Sequence, residues 1–340
     1  MIIQLSSDIQ TNELAQIRAQ IDEIGYQPNE VNTQKGHYLI AIGKKDFDIR
    51  RIGSLPGVAD VHRVSDAYKL VSRKWKVRPS NIDLGDGVVI EEGKFAFMAG
   101  PCSIESEDQI RQTLAHLHEQ GVRIMRGGVY KPRSSPYSFR GLGIDGLKMW
   151  AELAAEYGIK IITEVMQVSQ IKPMMDYVDI FQVGARNTQN FNLLDALGEV
   201  DKPVLLKRGI SGTIDELLHS AEYIFSGGNE RIMLCERGIR SYEKAYRNTM
   251  DINAIAMLKE KTHLPVIADP SHGIGLRSFV EQIALASLMA GADGVIYETH
   301  PVPEKAFSDA QQTLSFGQSA ELIRKSRAVF GLKEQDFVMG

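Results

Sequence analysis

The chain has 340 residues, room for one large domain of barrel size plus a small one, and its 43% hydrophobic and 24% charged residues are those of a soluble globular protein. A net charge of -4 without any run of Lys or Arg argues against nucleic acid as a partner. Cys102 and Cys235 are too few for a disulfide framework, MIIQLSSDIQTN lacks the pattern of a secretory signal, and the most apolar stretch, FVEQIALASLMAGA, is broken by Glu281 and Gln282; a cytoplasmic protein with no membrane span is expected.

Residues 1–65 read as strand IIQL, amphipathic helix NELAQIRAQIDEI, extended NEVNTQ, strand HYLIAIG, a short helix around DFDIRRIGSL, and strand VADVHRV. That βαββαβ order is a ferredoxin-like α+β unit. SDAYKLVSRKWKV reads as a polar, helix-compatible linker, and DLGDGVVIEEG, with Asp86-Gly87 between two β-like runs, as a hairpin that closes the floor of a barrel; together they fill residues 66–93. Residues 94–340 then carry eight apolar runs: FAFMAG, RIMRGG, KIITEV, DIFQVGA, PVLLKRG, RIMLCERG, PVIADPSH and DGVIYETH. They are rich in Val and Ile and do not alternate, as parallel strands buried on both faces should be. Helical patterns such as DQIRQTLAHLHEQG separate them. The expected fold is α/β, a (β/α)₈ TIM barrel preceded by the small ferredoxin-like domain, with its chemistry at the C-terminal ends of the strands.

Two sets of residues fall at those ends. Cys102, His272, Glu298 and Asp309 follow strands one, seven and eight, and strands one and eight become neighbours when a barrel closes. Singly, Cys102 reads as a small core residue, Glu298 as a surface acid and Asp309 as a helix cap; together with His272, a thiolate, an imidazole and two carboxylates suit one borderline divalent ion, Mn²⁺, Fe²⁺, Co²⁺ or Zn²⁺. The second set is cationic: Arg126, Lys131, Arg133, Arg186, Lys207, Arg208 and Arg237. So many cations at one mouth require anions, so phosphorylated ligands are expected, with the glycines of RGG, VGAR and KRG admitting backbone N–H groups to the same oxygens. His116, His118 and His263 read as surface or helix-end residues, and Cys235 as a buried small hydrophobe.

GPCSIES, GGVYKPRSSPYSFRGLG, VGARNTQNF, LLKRG, LCERGIRSYE, DPSHGIG and EKAFSDAQQTL resemble the type I-beta branch of the 3-deoxy-D-arabino-heptulosonate 7-phosphate (DAHP) synthases, over residues 94–335. The resemblance implies condensation of phosphoenolpyruvate with erythrose 4-phosphate, the first step toward the aromatic amino acids. It places the metal on Cys102, His272, Glu298 and Asp309, with Mn²⁺ the first expectation. It places phosphoenolpyruvate on Arg126, Lys131, Gly184, Ala185, Arg186, Lys207 and Arg237, adds Asp269 to the substrate groups, and sets the tetrose phosphate at Lys131, Pro132, Arg133 and Ser134. Ser134 stands where the family commonly has Thr.

Lys131 is expected to donate a proton to the new alkoxide, and either Glu164 or His272 to activate the water. The resemblance further implies a homotetramer and feedback inhibition by tyrosine or phenylalanine through residues 1–65. Two other readings compete: 3-deoxy-D-manno-octulosonate 8-phosphate synthase, which takes arabinose 5-phosphate but usually carries Lys-Ala-Asn-Arg where this chain has Lys131-Pro132-Arg133-Ser134, and a non-catalytic aromatic-amino-acid sensor, which should have lost ligands or cations.

Overall fold

A computed structural model describes residues 1–131 and 137–334. At the N-terminus, β1 (Ile2–Leu5), α1 (Thr11–Ile24), β2 (Gln27–Asn32), β3 (His37–Ile42), α2 (Arg50–Gly53) and β4 (Val58–His62) form an antiparallel sheet of order β2-β3-β1-β4. This is the ferredoxin-like arrangement. Alternation along the strands decides how it packs: Ile3, Leu39 and Ala41 bury with Ile17, Ile21 and Ile24 of α1 and Ile52 of α2. Ile2, Tyr38 and Ile40 take the other face and join the cluster that runs into the barrel wall.

The eight apolar runs form β7 (Ala96–Gly100), β8 (Ile124–Gly127), β9 (Lys160–Val165), β10 (Ile180–Val183), β11 (Val204–Lys207), β12 (Ile232–Glu236), β13 (Val266–Ala268) and β14 (Gly294–Glu298), a parallel barrel closed in chain order. Around it lie α3 (Glu107–Glu119), α4 (Gly143–Tyr157), α5 (Val168–Met174), α6 (Phe191–Gly198), α7 (Ile214–Ser226), α8 (Ile252–Lys261), α9 (Pro270–Ile274), α10 (Val280–Met289) and α11 (Phe316–Glu334). Ser106, Asn190, Thr213 and Asp251 start α3, α6, α7 and α8 by accepting the N–H three residues on. No helix among the described residues is long and apolar enough to cross a membrane.

The hairpin, β5 (Ile82–Asp83) paired antiparallel with β6 (Val89–Ile90), plugs the N-terminal end of the barrel. Ile82, Val88 and Ile90 pack on the inward side chains Met98, Ile124, Ile162, Met233 and Ile267. Its turn uses left-handed backbone at Asp86 (φ 53°) and Gly87 (φ 75°).

The linker departs from expectation. Residues 66–80 contain no helix, and Tyr68, Leu70, Val71 and Trp75 are buried. Glu222 of α7 is the reason: its carboxylate accepts from the backbone N–H groups of Lys69 (2.9 Å), Leu70 (2.9 Å) and Val71 (3.1 Å), donors that a helix would otherwise use. His263, expected at the surface or a helix end, does follow the end of α8 but is 1% exposed beneath this segment. Its Nε2 meets Leu70 O at 2.8 Å and its Nδ1 meets Ser80 Oγ at 2.9 Å, so a neutral ring satisfies both nitrogens. Edge-to-face contacts run from Tyr38 to Trp75, to His263, to Phe225, joining the N-terminal sheet to α7. His116 is also buried, stacked on Phe316 of α11, whereas His118 is exposed as expected.

Candidate active site

The ends of β7 and β14 are locked together, Glu298 opposite Gly100 in register and Thr299 N donating to Gly100 O at 2.9 Å. Gly100 is required there, because a Cβ would lie 2.1 Å from Arg126 O on β8. This brings Cys102 beside the acids that follow β14. Ligand atoms of Cys102, Glu298 and Asp309 lie within 4.8 Å of one another. Cys102 Sγ is 3.3 Å from Asp309 Oδ2. His272, on α9 after β13, stands outside that trio but presents Nε2 3.7 Å from Glu298 Oε1 and 3.9 Å from Asp309 Oδ2. The donor set therefore fits a borderline divalent cation.

Electrostatics at this point are set by burial. Burial, with Glu298 adding to it, pushes the Cys102 thiol up to about 12 against the pull of Lys131. Burial likewise pushes the His272 pKa down, with Asp269 and Glu298 pulling the other way. Asp269 Oδ2 lies 2.8 Å from His272 Nδ1 and accepts from Lys207 Nζ at 2.6 Å. Although burial opposes its charge, His272 and Lys207 hold this carboxyl well below the usual range. Asp269 is not among the residues lining the cavity described next; it sits between Lys207 and His272.

Above the cluster opens a cavity of about 320 Å³. Arg126, Lys131, Glu164, Gly184, Ala185, Arg186, Lys207, Arg237, His272 and Asp309 all line it, as the sequence placed them. Arg240 and Arg247 raise the count to seven guanidinium or ammonium groups against two carboxylates, so the cavity selects anions. Arg126 is 5% exposed; its Nη1 donates to Pro101 O at 2.8 Å and Glu298 Oε1 at 3.3 Å, while its Nε has no hydrogen-bond partner among the described residues. Lys131 Nζ reaches Cys102 O at 2.8 Å and Cys102 Sγ at 3.1 Å, bridging the thiol and the cavity. At Gly184 a Cβ would stand 2.1 Å from Glu164 Oε1, so the missing side chain makes room for that carboxylate. Pro132, Arg133 and Ser134 lie outside the described residues.

One expected cation is elsewhere. Arg208 does not line the cavity; its Nη1 donates to Glu236 Oε2 at 2.8 Å and Asp251 Oδ2 at 2.9 Å, its Nε to Gly212 O at 2.8 Å. The sequence reading missed Gln182, Ile210, Arg240, Arg247 and Asn248 in the lining and Gln312 beneath it. The available signal was position: GIRSYEKAYRN is a long loop after a strand, on the face where barrel enzymes keep their working groups.

The described fold and site have close counterparts. Residues 76–331 match the model of the DAHP synthetase I family. The phospho-2-dehydro-3-deoxyheptonate aldolase of Thermotoga maritima is 49% identical over 274 residues, 81% of each chain. A crystal structure of that name from the same organism, also called DAHP synthase, covers 98% of this chain and 97% of its own at 41% identity with a TM-score of 0.78. A 2-dehydro-3-deoxyphosphooctonate aldolase of Acidithiobacillus ferrooxidans is more distant, 32% identical over 263 residues, 72% of this chain and 92% of the relative. On these grounds the chain belongs to the DAHP synthetase I family.

Proposed function

We propose that this chain condenses phosphoenolpyruvate with D-erythrose 4-phosphate to give 3-deoxy-D-arabino-heptulosonate 7-phosphate and inorganic phosphate. The observation that carries the reading is the juxtaposition of seven cations with a thiol, an imidazole and two carboxylates at one barrel mouth. Arg126, Arg186, Lys207 and Arg237 neutralise the phosphate and carboxylate of phosphoenolpyruvate, with Gly184 and Ala185 in the same wall, and remain in place as charge shifts during reaction. The tetrose phosphate is assigned to the segment from Lys131 to Ser134. C3 of phosphoenolpyruvate forms the new bond to the aldehyde carbon, water adds at C2, and C–O cleavage releases phosphate.

Cys102, His272, Glu298 and Asp309 would hold one divalent cation, Mn²⁺ first, which when bound supplies Lewis-acid polarisation of the aldehyde oxygen. Lys131, beside Cys102 and open to the cavity, delivers a proton to the alkoxide. Activation of water is given to Glu164 and not to His272: both line the cavity, but both imidazole nitrogens face carboxylates, whereas the neighbour of Glu164 is the neutral Gln182 (3.3 Å). A cytoplasmic homotetramer, inhibited by tyrosine or phenylalanine through residues 1–65, completes the proposal. Removing those residues should leave a synthase that ignores both amino acids; inhibition of the shortened chain at the same concentration would place the sensor elsewhere.

Identity supports the four-carbon sugar, 49% to the heptonate enzyme against 32% to the octonate one, as does the sequence of the Lys131 loop. Phosphate release from phosphoenolpyruvate, measured with erythrose 4-phosphate and with arabinose 5-phosphate, tests this. The four-carbon sugar should be preferred; preference for the five-carbon sugar, or no release with either, would overturn the reading.

A further inference from the structure

Each carboxylate of the cluster has one oxygen turned toward the centre and the other tied to a neighbour. For Glu298, Oε1 is the oxygen nearest His272 Nε2 and also accepts from Arg126 Nη1 at 3.3 Å, while Oε2 accepts from Gln312 Nε2 at 2.7 Å. For Asp309, Oδ2 faces Cys102 Sγ and His272 Nε2, while Oδ1 accepts from Arg247 Nη1 at 3.2 Å. The two ties are one chain, because Arg247 Nη1 also donates to Gln312 Oε1 at 2.8 Å. Gln312 is fully buried and uses its amide oxygen and nitrogen in opposite senses. Flipping the amide would set oxygen against carboxylate and NH₂ against guanidinium, so the network admits one orientation.

The surrounding backbone supports the same arrangement. Asp309 sits at φ 53°, a left-handed conformation unusual for aspartate, and its carbonyl is held by Gln312 N at 3.1 Å and Thr313 Oγ1 at 2.9 Å. Arg247 N donates to Ile274 O at 3.1 Å, and the adjacent Asn248 donates through Nδ2 to His272 O at 2.9 Å. One dipeptide from the loop after β12 thus touches the supports of His272, Asp309 and, through Gln312, Glu298.

We infer that Arg247 and Gln312 are positioning residues that fix which oxygen of Asp309 and of Glu298 is presented to a divalent cation, making each a one-oxygen ligand. The inference rests on the reading of Cys102, His272, Glu298 and Asp309 as a metal centre. A free carboxylate can chelate through both oxygens or turn away; the hydrogen bonds of Gln312 and Arg247 to the outer oxygens disfavour both. Ligand supports of this kind typically set metal affinity by roughly 10- to 100-fold.

The test is titration of the full-length, metal-free protein with Co²⁺, following the thiolate-to-cobalt charge-transfer band that reports Cys102. Wild type should give a one-to-one endpoint. Arg247→Met and Gln312→Leu should each weaken binding by roughly 10- to 100-fold and shift the cobalt ligand-field bands, with the double variant no worse than the weaker single because the two residues act in one chain. Arg247→Lys, which keeps a donor, should recover part of the loss. Since Gln312 is buried its variant can fail to fold; Arg247, with a side chain 32% exposed, then decides alone. Wild-type affinity and spectrum in Arg247→Met would overturn the positioning role while leaving the metal centre intact. Absence of the charge-transfer band in wild type would instead overturn the metal centre, and the inference with it.

Discussion

The two ends of the barrel are built from the same strands and do opposite things. Along β12, Met233 and Cys235 point into an apolar interior sealed by Ile82, Val88 and Ile90 of the hairpin, yet Arg237, one alternation later, enters a cavity ringed by cations. The floor is stable by exclusion of water. At the mouth, buried charges persist only where a partner or a ligand meets them. Even adjacent residues divide this way: Lys207 points to the mouth and Arg208 outward, where Glu236, itself the outward neighbour of Arg237, neutralises it.

The division can be broken at several points. Arg208→Ala leaves Glu236, which is fully buried, without its main counter-charge, and should cost about 3–5 kcal/mol of stability by urea unfolding. The KM for phosphoenolpyruvate should hold; a large rise in KM with normal stability would return Arg208 to the site. At the floor, Ile90→Ala should cost about 2–5 kcal/mol, again with unchanged substrate constants. Failure to destabilise would show that the hairpin is not a plug.

At the mouth the signs reverse. Arg237 is pushed below its ordinary pKa by burial, with Asp269 pulling the other way, so Arg237→Ala should leave stability at or above wild type. Its loss should raise the KM for phosphoenolpyruvate by roughly 10- to 100-fold, the value of a charge-assisted contact of about 1.5–3 kcal/mol. A stability loss without a KM change would count against an anion cradle.

The smallest effect concerns the seam between the linker and the barrel. Burial, aided by Lys76 and Arg73, pushes the His263 pKa to about 3, against roughly 6.5 in an unfolded chain. The unfolded state therefore binds the extra proton between those values. The stability that His263 contributes is complete above about pH 6.5 and falls as pH drops toward 3, by at most about 1.4 kcal/mol per pH unit. His263→Gln should flatten that slope in unfolding curves taken from pH 7 to pH 4.5; an identical slope would acquit His263.

What the sequence made legible follows the same physics. Buried parallel strands are apolar runs, so all eight could be found, and the groups at their ends came with them. Arg208 was misplaced because its partners Glu236 and Asp251 lie 28 and 43 residues away, although strand alternation alone separates it from Lys207. The linker was misread because the segment is compatible with a helix locally, and Glu222, more than 150 residues on, diverts the N–H groups of Lys69, Leu70 and Val71. His263 does stand at a helix end, but its burial was hidden for the same reason: its partners, Leu70 and Ser80, are remote. Arg247 and Gln312 carry no motif of their own, and only the folded mouth shows that they join two acids.

In the proposed reaction the cations of the mouth work together with a divalent cation that Cys102 and its neighbours would hold. Phosphate release from phosphoenolpyruvate and erythrose 4-phosphate, followed after chelation and again after Mn²⁺ is restored, tests it in wild type and in Cys102→Ala. Wild type should fall silent on chelation and recover with Mn²⁺, while Cys102→Ala keeps its fold and stays silent. Undiminished turnover in metal-free buffer, or a Cys102→Ala protein that Mn²⁺ restores to the wild-type rate, would contradict it.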